Sequence, residues 1–177
     1  TQAAAGRTWG PAGDGGTMGA AIIHEVAEGL AVWATRPMPA LPAWLEAQKP
    51  HIVCMQEIKI SEPDLTPDLT NPGQYHGHFH HAQKKGYSGV GIYAKRKPKK
   101  IIREIGLPLF DSEGRYLELM YDNLSVVSIY LPSGSSGEER QIFKFEVLDY
   151  LLPYLKKRRE ENLPMILCGD INIAHKE

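Results

Sequence analysis

Short apolar runs that end in polar or turn-forming residues restrict the possible fold more than any other feature of this chain. Ile52–Met55 leads into Gln56–Glu57, and Leu163–Cys168 leads into Gly169–Asp170. Apolar runs of about four to eight residues between turn signals predict buried β-strands. The same reasoning predicts further strands near 75–81, 89–95 and 100–105.

A hairpin and a long helix complete the pattern. Tyr116–Tyr121 and Leu124–Leu131 flank Asp122-Asn123, a two-residue connection that suits an antiparallel hairpin. Apolar residues then recur at three- and four-residue steps, which predicts a helix from about Glu138 to Arg159 that Pro153 should kink. Strands that lead to a long helix and return to a strand indicate an α/β layered fold with more sheet than helix.

The first 43 residues differ from the rest of the chain. Residues 1–19 have no apolar period, and three prolines at positions 37–42 would interrupt a helix there. Ile22–Ile23 could begin a strand. We therefore expect residues 1–43 to form a divergent, partly disordered segment. The length of 177 residues then suits a single globular unit over residues 44–177.

The charge balance and the two cysteines say little about whether the protein binds nucleic acid and in which cellular compartment it works. With 20 basic and 21 acidic residues, the chain has no overall basic excess. DNA contact would need local patches such as Lys84–Lys85 and Lys95–Lys100, for which a solvated face is an equally good interpretation. Cys54 and Cys168 lie in apolar runs without zinc-site spacing, which favours buried free thiols over a disulfide.

Membrane and secretion signals are missing from the sequence. No apolar stretch approaches the roughly 18 to 20 residues that cross a bilayer, and no basic segment precedes an apolar signal-peptide core. These observations predict a cytoplasmic protein without a membrane partner.

Three polar residues follow predicted strands and could carry chemistry: Glu57 in the first half of the chain, and Asp170 and Asn172 near its end. Side chains at strand ends converge on one edge of an α/β sheet, and carboxylate and amide oxygens suit Mg²⁺ or Mn²⁺. A solvated carboxylate at Glu57 and an Asx-turn at Asp170 are the ordinary alternatives.

A histidine-rich segment offers a different metal hypothesis. His76, His78 and His80 alternate along a predicted strand and would share one face, where they could bind zinc. We consider zinc binding the less favoured interpretation.

Four blocks of the sequence resemble the exonuclease III and abasic-site endonuclease family of DNA-repair nucleases, in the family's order. They are "IVCMQEIK" (Ile52–Lys59), "GYSGVGIYAK" (Gly86–Lys95), "SIYLPSGSSGEERQ" (Ser128–Gln141) and "ILCGDINIAHKE" (Ile166–Glu177). Four ordered blocks form a far more specific signal than one short motif.

The resemblance implies a fold, an activity and a substrate. The fold would be a deoxyribonuclease I-like four-layer α/β sandwich. The activity would be hydrolysis of DNA phosphodiester bonds with Mg²⁺, or Mn²⁺ in its place. Full-length relatives incise DNA at abasic sites and remove nucleotides from 3′ ends. Double-stranded DNA with abasic sites or 3′ ends would be the partner, and no obligate protein partner is evident.

The resemblance also implies roles for individual residues. Glu57 would be the metal-binding carboxylate, and Tyr130 would hydrogen-bond the scissile phosphate. Asp170 would act near the attacking water or the leaving oxygen. Asn172 would hold a phosphate oxygen or a neighbouring catalytic group. From sequence alone, Tyr130 could equally be a core residue of the hairpin.

Lys59 and Arg115 are candidate DNA-phosphate contacts under the same resemblance. Charge-assisted hydrogen bonds from such side chains position DNA without reading its sequence. Exposed basic residues are often only solvated, so this alternative stays open.

The sequence departs from the family in two places. The family's first strand ends in two polar metal-site residues, for which this chain has Val26 and Glu28. Relatives also continue well beyond the Gly-Asp-x-Asn motif and supply a further Asp and an Asp-His pair. We therefore expect the chain as given to lack appreciable nuclease activity. A non-catalytic remnant, or a superfamily phosphoesterase for inositol phosphates or sphingolipid, are the alternatives.

Overall fold

The computed structural model describes residues 30–32 as backbone, and residues 41–134, 137–161 and 163–173 with their side chains. In these ranges no helix is both long enough and apolar enough to cross a membrane. In chain order the elements are β1 (Leu30–Val32), α1 (Leu41–Gln48), β2 (Ile52–Gln56), a 3₁₀ turn (Glu62–Asp64), α2 (Pro67–Thr70), β3 (His76–His80), β4 (Val90–Ala94), β5 (Lys100–Ile102), α3 (Pro108–Ser112), β6 (Tyr116–Met120), β7 (Ser125–Tyr130), α4 (Glu138–Glu160) and β8 (Met165–Asp170).

The strands form two four-stranded sheets that pack face to face. The first sheet has the order β1-β2-β4-β3, and the second has the order β5-β6-β7-β8. Within them β1 is parallel to β2 and β7 is parallel to β8, whereas the other neighbours are antiparallel. Residues from both sheets share one buried cluster, which includes Cys54, Ile92, Leu119, Val126 and Cys168. The main core therefore lies between the sheets.

One helix covers each outer face. Leu41 and Leu45 of α1 are buried against Val53, Met55 and Tyr93 of the first sheet. On the second sheet, α4 buries three side chains with a period of four residues, namely Phe143, Val147 and Leu151. The chain is thus a four-layer α/β sandwich, as the sequence resemblance predicted.

Most predicted elements agree with the structure to within a few residues. The Asp122-Asn123 connection joins β6 to β7, and the Tyr121 N–H donates to the Leu124 carbonyl at 2.8 Å. The long helix begins at Glu138 as predicted, and it continues through Pro153 to Glu160.

Two strands end at different residues from those predicted. β5 stops at Ile102. A few residues later, the carboxylate of Asp111 accepts the backbone N–H groups of Ile105 to Leu107 at 2.9 to 3.0 Å, so these groups do not continue the strand. β8 continues to Asp170, whose carbonyl accepts the Leu131 N–H at 2.9 Å. In both cases the residue whose hydrogen bond accompanies the end of the strand lies outside the apolar run from which the strand was predicted.

The segment before Trp44 departs from the sequence prediction in two ways: β1 was not predicted, and a short helix was predicted only from Trp44 to Gln48. Leu30–Val32 forms β1, and α1 begins at Leu41 with Pro42 in its first turn. Proline is tolerated there because first-turn N–H groups have no partner inside the helix. The possible strand at Ile22–Ile23 and the substituted positions of the family's first strand lie outside the described residues.

Both cysteines are buried free thiols, as predicted from their apolar surroundings. Cys54 is in the first sheet and Cys168 in the second. A hydrogen bond with Cys168, together with burial, holds the pKa of the Cys54 thiol well above its ordinary value. The Cys54 thiol therefore remains a protonated contact of the core.

A hydrogen-bonded serine links the two sheets close to the end of β2. The Ser128 hydroxyl donates to the Met55 carbonyl at 2.9 Å and accepts from Gln56 Nε2 at 2.8 Å. All three groups are buried, and among the described residues the other amide atom of Gln56, Oε1, has no partner. Ser128 thus satisfies buried groups of the opposite sheet.

We predict that Ser128→Ala lowers the free energy of unfolding by about 1 to 3 kcal/mol, because it leaves a buried donor and a buried acceptor unpaired. Ser125→Ala is the matched control on the same strand. Its hydroxyl is buried without a partner among the described residues, so removing it should cost little or stabilise the fold. Urea unfolding of both variants measures the difference, and equal losses would contradict the bridging role of Ser128.

Candidate active site

Three strands bring the predicted site residues to one edge of the sandwich. Glu57 follows the last residue of β2, and Tyr130 and Asp170 end β7 and β8. Because β7 and β8 are parallel and in register, Tyr130 lies directly beside Asp170. The strand ends predicted from the sequence therefore meet across both sheets.

The Tyr130 hydroxyl connects the two sheets at this edge by donating a hydrogen bond to Glu57 Oε1. Burial raises the pKa of the Tyr130 hydroxyl well above its ordinary value, and the hydrogen bond and charge of Glu57 raise it further. The phenol therefore stays protonated near neutral pH. It can donate a hydrogen bond to an anion but cannot act as a base.

Lys59 lies at the same edge and forms an ion pair with Glu57, with Nζ at 3.0 Å from Oε2. Both residues have positive φ, 51° for Glu57 and 49° for Lys59, a conformation that non-glycine residues rarely adopt. Backbone hydrogen bonds hold the turn, including one of 2.9 Å from Lys59 N to the Ser88 carbonyl. Such enforced strain is typical of functional positions.

Asp170 and Asn172 form a tight turn after β8. The Asn172 N–H donates to Asp170 Oδ1 at 2.9 Å, which is the Asx-turn considered from the sequence. The Asn172 side-chain amide donates to the Leu131 carbonyl at 2.8 Å. Lys144 of α4 donates to the Asn172 carbonyl at 2.7 Å. The turn is thereby fastened to the end of β7, next to Tyr130.

Arg115 occupies a different place from the one expected of a DNA contact. It is 2% exposed, and its guanidinium donates to the Tyr130 carbonyl at 3.0 Å and to Glu113 at 2.5 Å. Its charged carbon lies 4.6 Å from the centre of the Tyr130 ring, a cation–π contact. With Glu113 as its counterion, the buried guanidinium supports Tyr130 and does not face solvent.

Sequence reasoning missed the partners that keep this arginine buried. Arg140 donates to both carboxylate oxygens of Glu113, at 2.8 and 3.0 Å. The Tyr87 hydroxyl accepts from Arg115 at 3.2 Å and from Arg140 at 3.0 Å. The only sequence signal was the presence of Arg140 and Tyr87 inside the blocks that resemble the family. Spacing does not reveal the pairing, since Arg140 is 27 positions from Glu113.

The basic patches lie at opposite ends of the sandwich. Lys84 lies 5.3 Å from the centre of the Tyr87 ring, close to Tyr130 and its neighbours. Lys95 follows β4, whose last residue pairs with the first residue of β2. The patch at Lys95–Lys100 is therefore remote from Glu57.

The side chains at the Tyr130 edge suit a magnesium ion better than a zinc ion. Glu57 presents a carboxylate with 25% side-chain exposure, and Asp170 presents an exposed carboxylate on the other side of Tyr130. Mg²⁺ commonly uses one or two protein carboxylates and keeps several waters, whereas zinc sites need three or four closely grouped ligands. Among the described residues, histidines of β3 included, no such group of three or more occurs.

Glu113 is the carboxylate that compensates the positive charges of Arg115 and Arg140. Burial alone would raise its pKa, but the hydrogen bonds and charges of Arg140 and Arg115 lower the pKa below its ordinary value of 4.5. A lowered folded-state pKa stabilises the fold at every pH above the unfolded-state pKa. This contribution is lost as the pH falls through the folded-state pKa.

We predict that Glu113→Gln lowers the free energy of unfolding by about 3 kcal/mol near neutral pH, because it leaves buried arginine charge uncompensated. The difference from the native chain should shrink as the pH falls below about 4.5, where the native carboxylate also becomes protonated. Denaturant unfolding from pH 7 downward, with the exposed Glu146→Gln as control, measures it. A difference that stays constant down to the acid limit would contradict this account.

Comparisons with known proteins agree with this geometry. Residues 29–177 match the endonuclease/exonuclease/phosphatase family. An exodeoxyribonuclease of Bacillus subtilis is 36% identical over 135 residues, which are 76% of this chain and 52% of that protein. A DNA-(apurinic or apyrimidinic site) endonuclease of Dictyostelium discoideum is 34% identical over 135 residues, 76% of this chain and 37% of that protein.

The solved structures include an AP endonuclease from Archaeoglobus fulgidus with a TM-score of 0.67 and 28% sequence identity, covering 77% of this chain and 52% of that one. The chain thus spans about half the length, or less, of these relatives. The family model covers most of the chain, and the relatives confirm the resemblance drawn from the four sequence blocks. The chain therefore belongs to the endonuclease/exonuclease/phosphatase family.

Proposed function

We propose that this chain provides the metal- and phosphate-binding part of a DNA-repair nuclease that hydrolyses phosphodiester bonds in double-stranded DNA, at abasic sites or 3′ ends. The observation that carries the proposal is the contact between Glu57 and the Tyr130 hydroxyl, with Asp170 beside Tyr130 at an open edge. The names of the curated relatives support DNA as the substrate. Buried free thiols are in keeping with a reducing cytoplasm.

In this proposal Glu57 holds Mg²⁺, or Mn²⁺ in its place. A divalent ion there withdraws charge from a phosphate oxygen and helps to activate water. Tyr130 donates a hydrogen bond to a non-bridging phosphate oxygen without adding charge. Lys59, whose ammonium already lies at this edge, contacts phosphate once the metal ion neutralises Glu57.

Asp170 orients the attacking water with the carboxylate oxygen that the Asx-turn leaves open. Asn172 acts as a positioning residue, since its amide holds the Leu131 carbonyl next to Tyr130. Arg115 does the same through the carbonyl and ring of Tyr130. Precise placement of these groups supplies much of the rate in such reactions.

The described residues offer few groups that could deprotonate the attacking water. None of the described histidines forms a hydrogen bond or ion pair with a carboxylate, so in this proposal the proton of the attacking water passes to Asp170. Loss of one positioned acid or base typically costs about 10²- to 10⁴-fold in rate. We therefore expect this chain to hydrolyse DNA slowly.

The decisive experiment compares cleavage of an abasic-site duplex by the chain with cleavage by a version extended with the C-terminal segment of the Bacillus subtilis relative. We expect the extension to raise the Mg²⁺-dependent rate by at least about 10²-fold. In the extended version, Glu57→Gln should remove nearly all cleavage, and Tyr130→Phe should lower it by about 10-fold or more.

Glu62→Gln is the matched control, because it makes the same change at an exposed glutamate of the 3₁₀ turn just beyond Glu57. It should leave the cleavage rate unchanged. Cleavage that survives Glu57→Gln, or that depends equally on Glu62, would contradict the proposed site. Rapid hydrolysis of small phosphate esters without cleavage of DNA would contradict the proposed substrate.

A further inference from the structure

A dense group of basic side chains lies at the end of the sandwich opposite Glu57. It consists of the connection Lys95–Lys100, which leads from β4 into β5, and the last turn of α4, Lys156–Arg159. Glu57 lies at the other end of β4, because it directly follows Gln56, which pairs with Val90, the first residue of β4. At about 3.3 Å per residue, a strand of this length separates the two ends by roughly 15 Å. We call these two segments the distal basic surface.

The two segments of the distal basic surface adjoin in space. Lys99 N–H donates to the Met120 carbonyl at 2.8 Å, and Lys100 is paired with Met120 in the sheet. Arg158 of α4 reaches the Met120 sulfur at 3.7 Å. The end of β6 therefore joins the connection and the helix into one continuous surface.

Local carboxylates neutralise only part of this charge. Lys99 pairs with Asp122, and Arg158 pairs with Glu118 and Glu161. The remaining basic side chains at exposed positions form no ion pair with another described residue, and they are Arg96, Lys97, Lys100, Lys156, Lys157 and Arg159.

The helix dipole explains the basic residues in the last turn of α4 but not those of Lys95–Lys100. Basic residues in the last turn of α4 are favourable next to its partly negative C-terminus. No such partner explains Arg96, Lys97 and Lys100, the exposed basic residues of Lys95–Lys100 that form no ion pair with another described residue. Neighbours in this run are one to three residues apart, which at about 3.3 Å per residue is within the Debye length of about 10 Å at 0.1 M salt, so they repel one another. A regular array of negative charge would offset this repulsion.

We propose that the distal basic surface binds the phosphate backbone of nucleic acid, on a segment separate from the one at Glu57. The choice of nucleic acid rests on the proposed function, which brings a phosphate polymer to this chain. Its geometry fits that partner, because the connection and the adjoining last turn of α4 present several cations side by side. Lysine and arginine contacts of this kind bind DNA without reading its sequence.

The position of the distal basic surface predicts two binding sites for short DNA. A duplex held at Glu57 lies at the opposite end of the sheets, so a second short duplex can bind independently. On longer DNA, the same surface would keep the protein attached to a remote segment while the Glu57 edge is free.

The test measures binding of a duplex of about 12 base pairs without an abasic site, by fluorescence anisotropy at a fixed Mg²⁺ concentration and over a range of salt concentrations. The distal variant is Lys97→Gln/Lys100→Gln. The control Lys84→Gln/Lys85→Gln removes the same charge at the Glu57 end. We expect two duplexes per native or control chain and one per distal variant.

For the distal variant, the slope of log K against log salt concentration should fall by about 1.8 in magnitude, and the second binding event should weaken by about 60-fold at about 0.1 M salt. Because both positions are exposed, the melting temperature should stay within a few degrees of the native value and thereby confirm folding.

Unchanged stoichiometry and salt slope in the distal variant would overturn the proposal. Poly-L-glutamate, measured in the same way, serves as an acidic protein mimic. If the distal variant loses poly-L-glutamate binding but keeps duplex binding, the partner is an acidic protein and the proposal is overturned. The Glu57→Gln variant should bind duplex at the distal basic surface as the native chain does. Cleavage that survives in Glu57→Gln, with that binding intact, would count against the proposed function alone.

Discussion

The hydroxyl of Ser128 between the two sheets is the interaction on which the candidate site depends. It bonds to the Met55 carbonyl and to the Gln56 amide, and so holds the end of β2 against the middle of β7. Glu57 is the next residue along the chain, and Tyr130 lies two residues beyond Ser128. Apolar packing between the sheets supplies most of the stability but little directional preference. The buried polar bridge fixes which residues of the two sheets meet.

Tyr130 then connects this interface to the chemistry of the edge. Its hydroxyl donates to Glu57, its carbonyl accepts from Arg115, and its strand register places it beside Asp170. A buried guanidinium is costly unless it is paired, and Glu113 provides that charge. The arginine pair can thus hold the tyrosine ring from behind while the hydroxyl remains at the open edge. Side chains held in this way need little reorganisation when a phosphate binds.

The sequence predicted elements whose signals are local and missed those that depend on distant partners. A continuous apolar run predicted β2, and apolar residues at three- and four-residue steps predicted α4. The positions of strand ends, together with the resemblance, predicted Glu57 and Asp170 as site residues. Arg115 was misplaced because a basic residue after a turn looks exposed until Arg140 and Glu113 are seen to share its site. Lys95–Lys100 could equally face DNA or solvent in the sequence, and only the antiparallel register of β4 separates it from Glu57. The prolines before Trp44 likewise hid the start of α1.

The central claim, that Glu57 and the ends of β7 and β8 form one metal-binding edge, is tested most directly by paramagnetic relaxation in the chain itself. Titration with Mn²⁺ while recording amide NMR signals places the ion relative to the backbone. The account predicts that signals of Gln56–Ile58, Tyr130–Leu131 and Asp170–Asn172 broaden together at the lowest Mn²⁺ concentrations. Signals of Lys97–Lys100 should broaden much less, and Glu57→Gln should abolish the broadening. Broadening centred on the histidines of β3, or broadening that persists unchanged in Glu57→Gln, would contradict it.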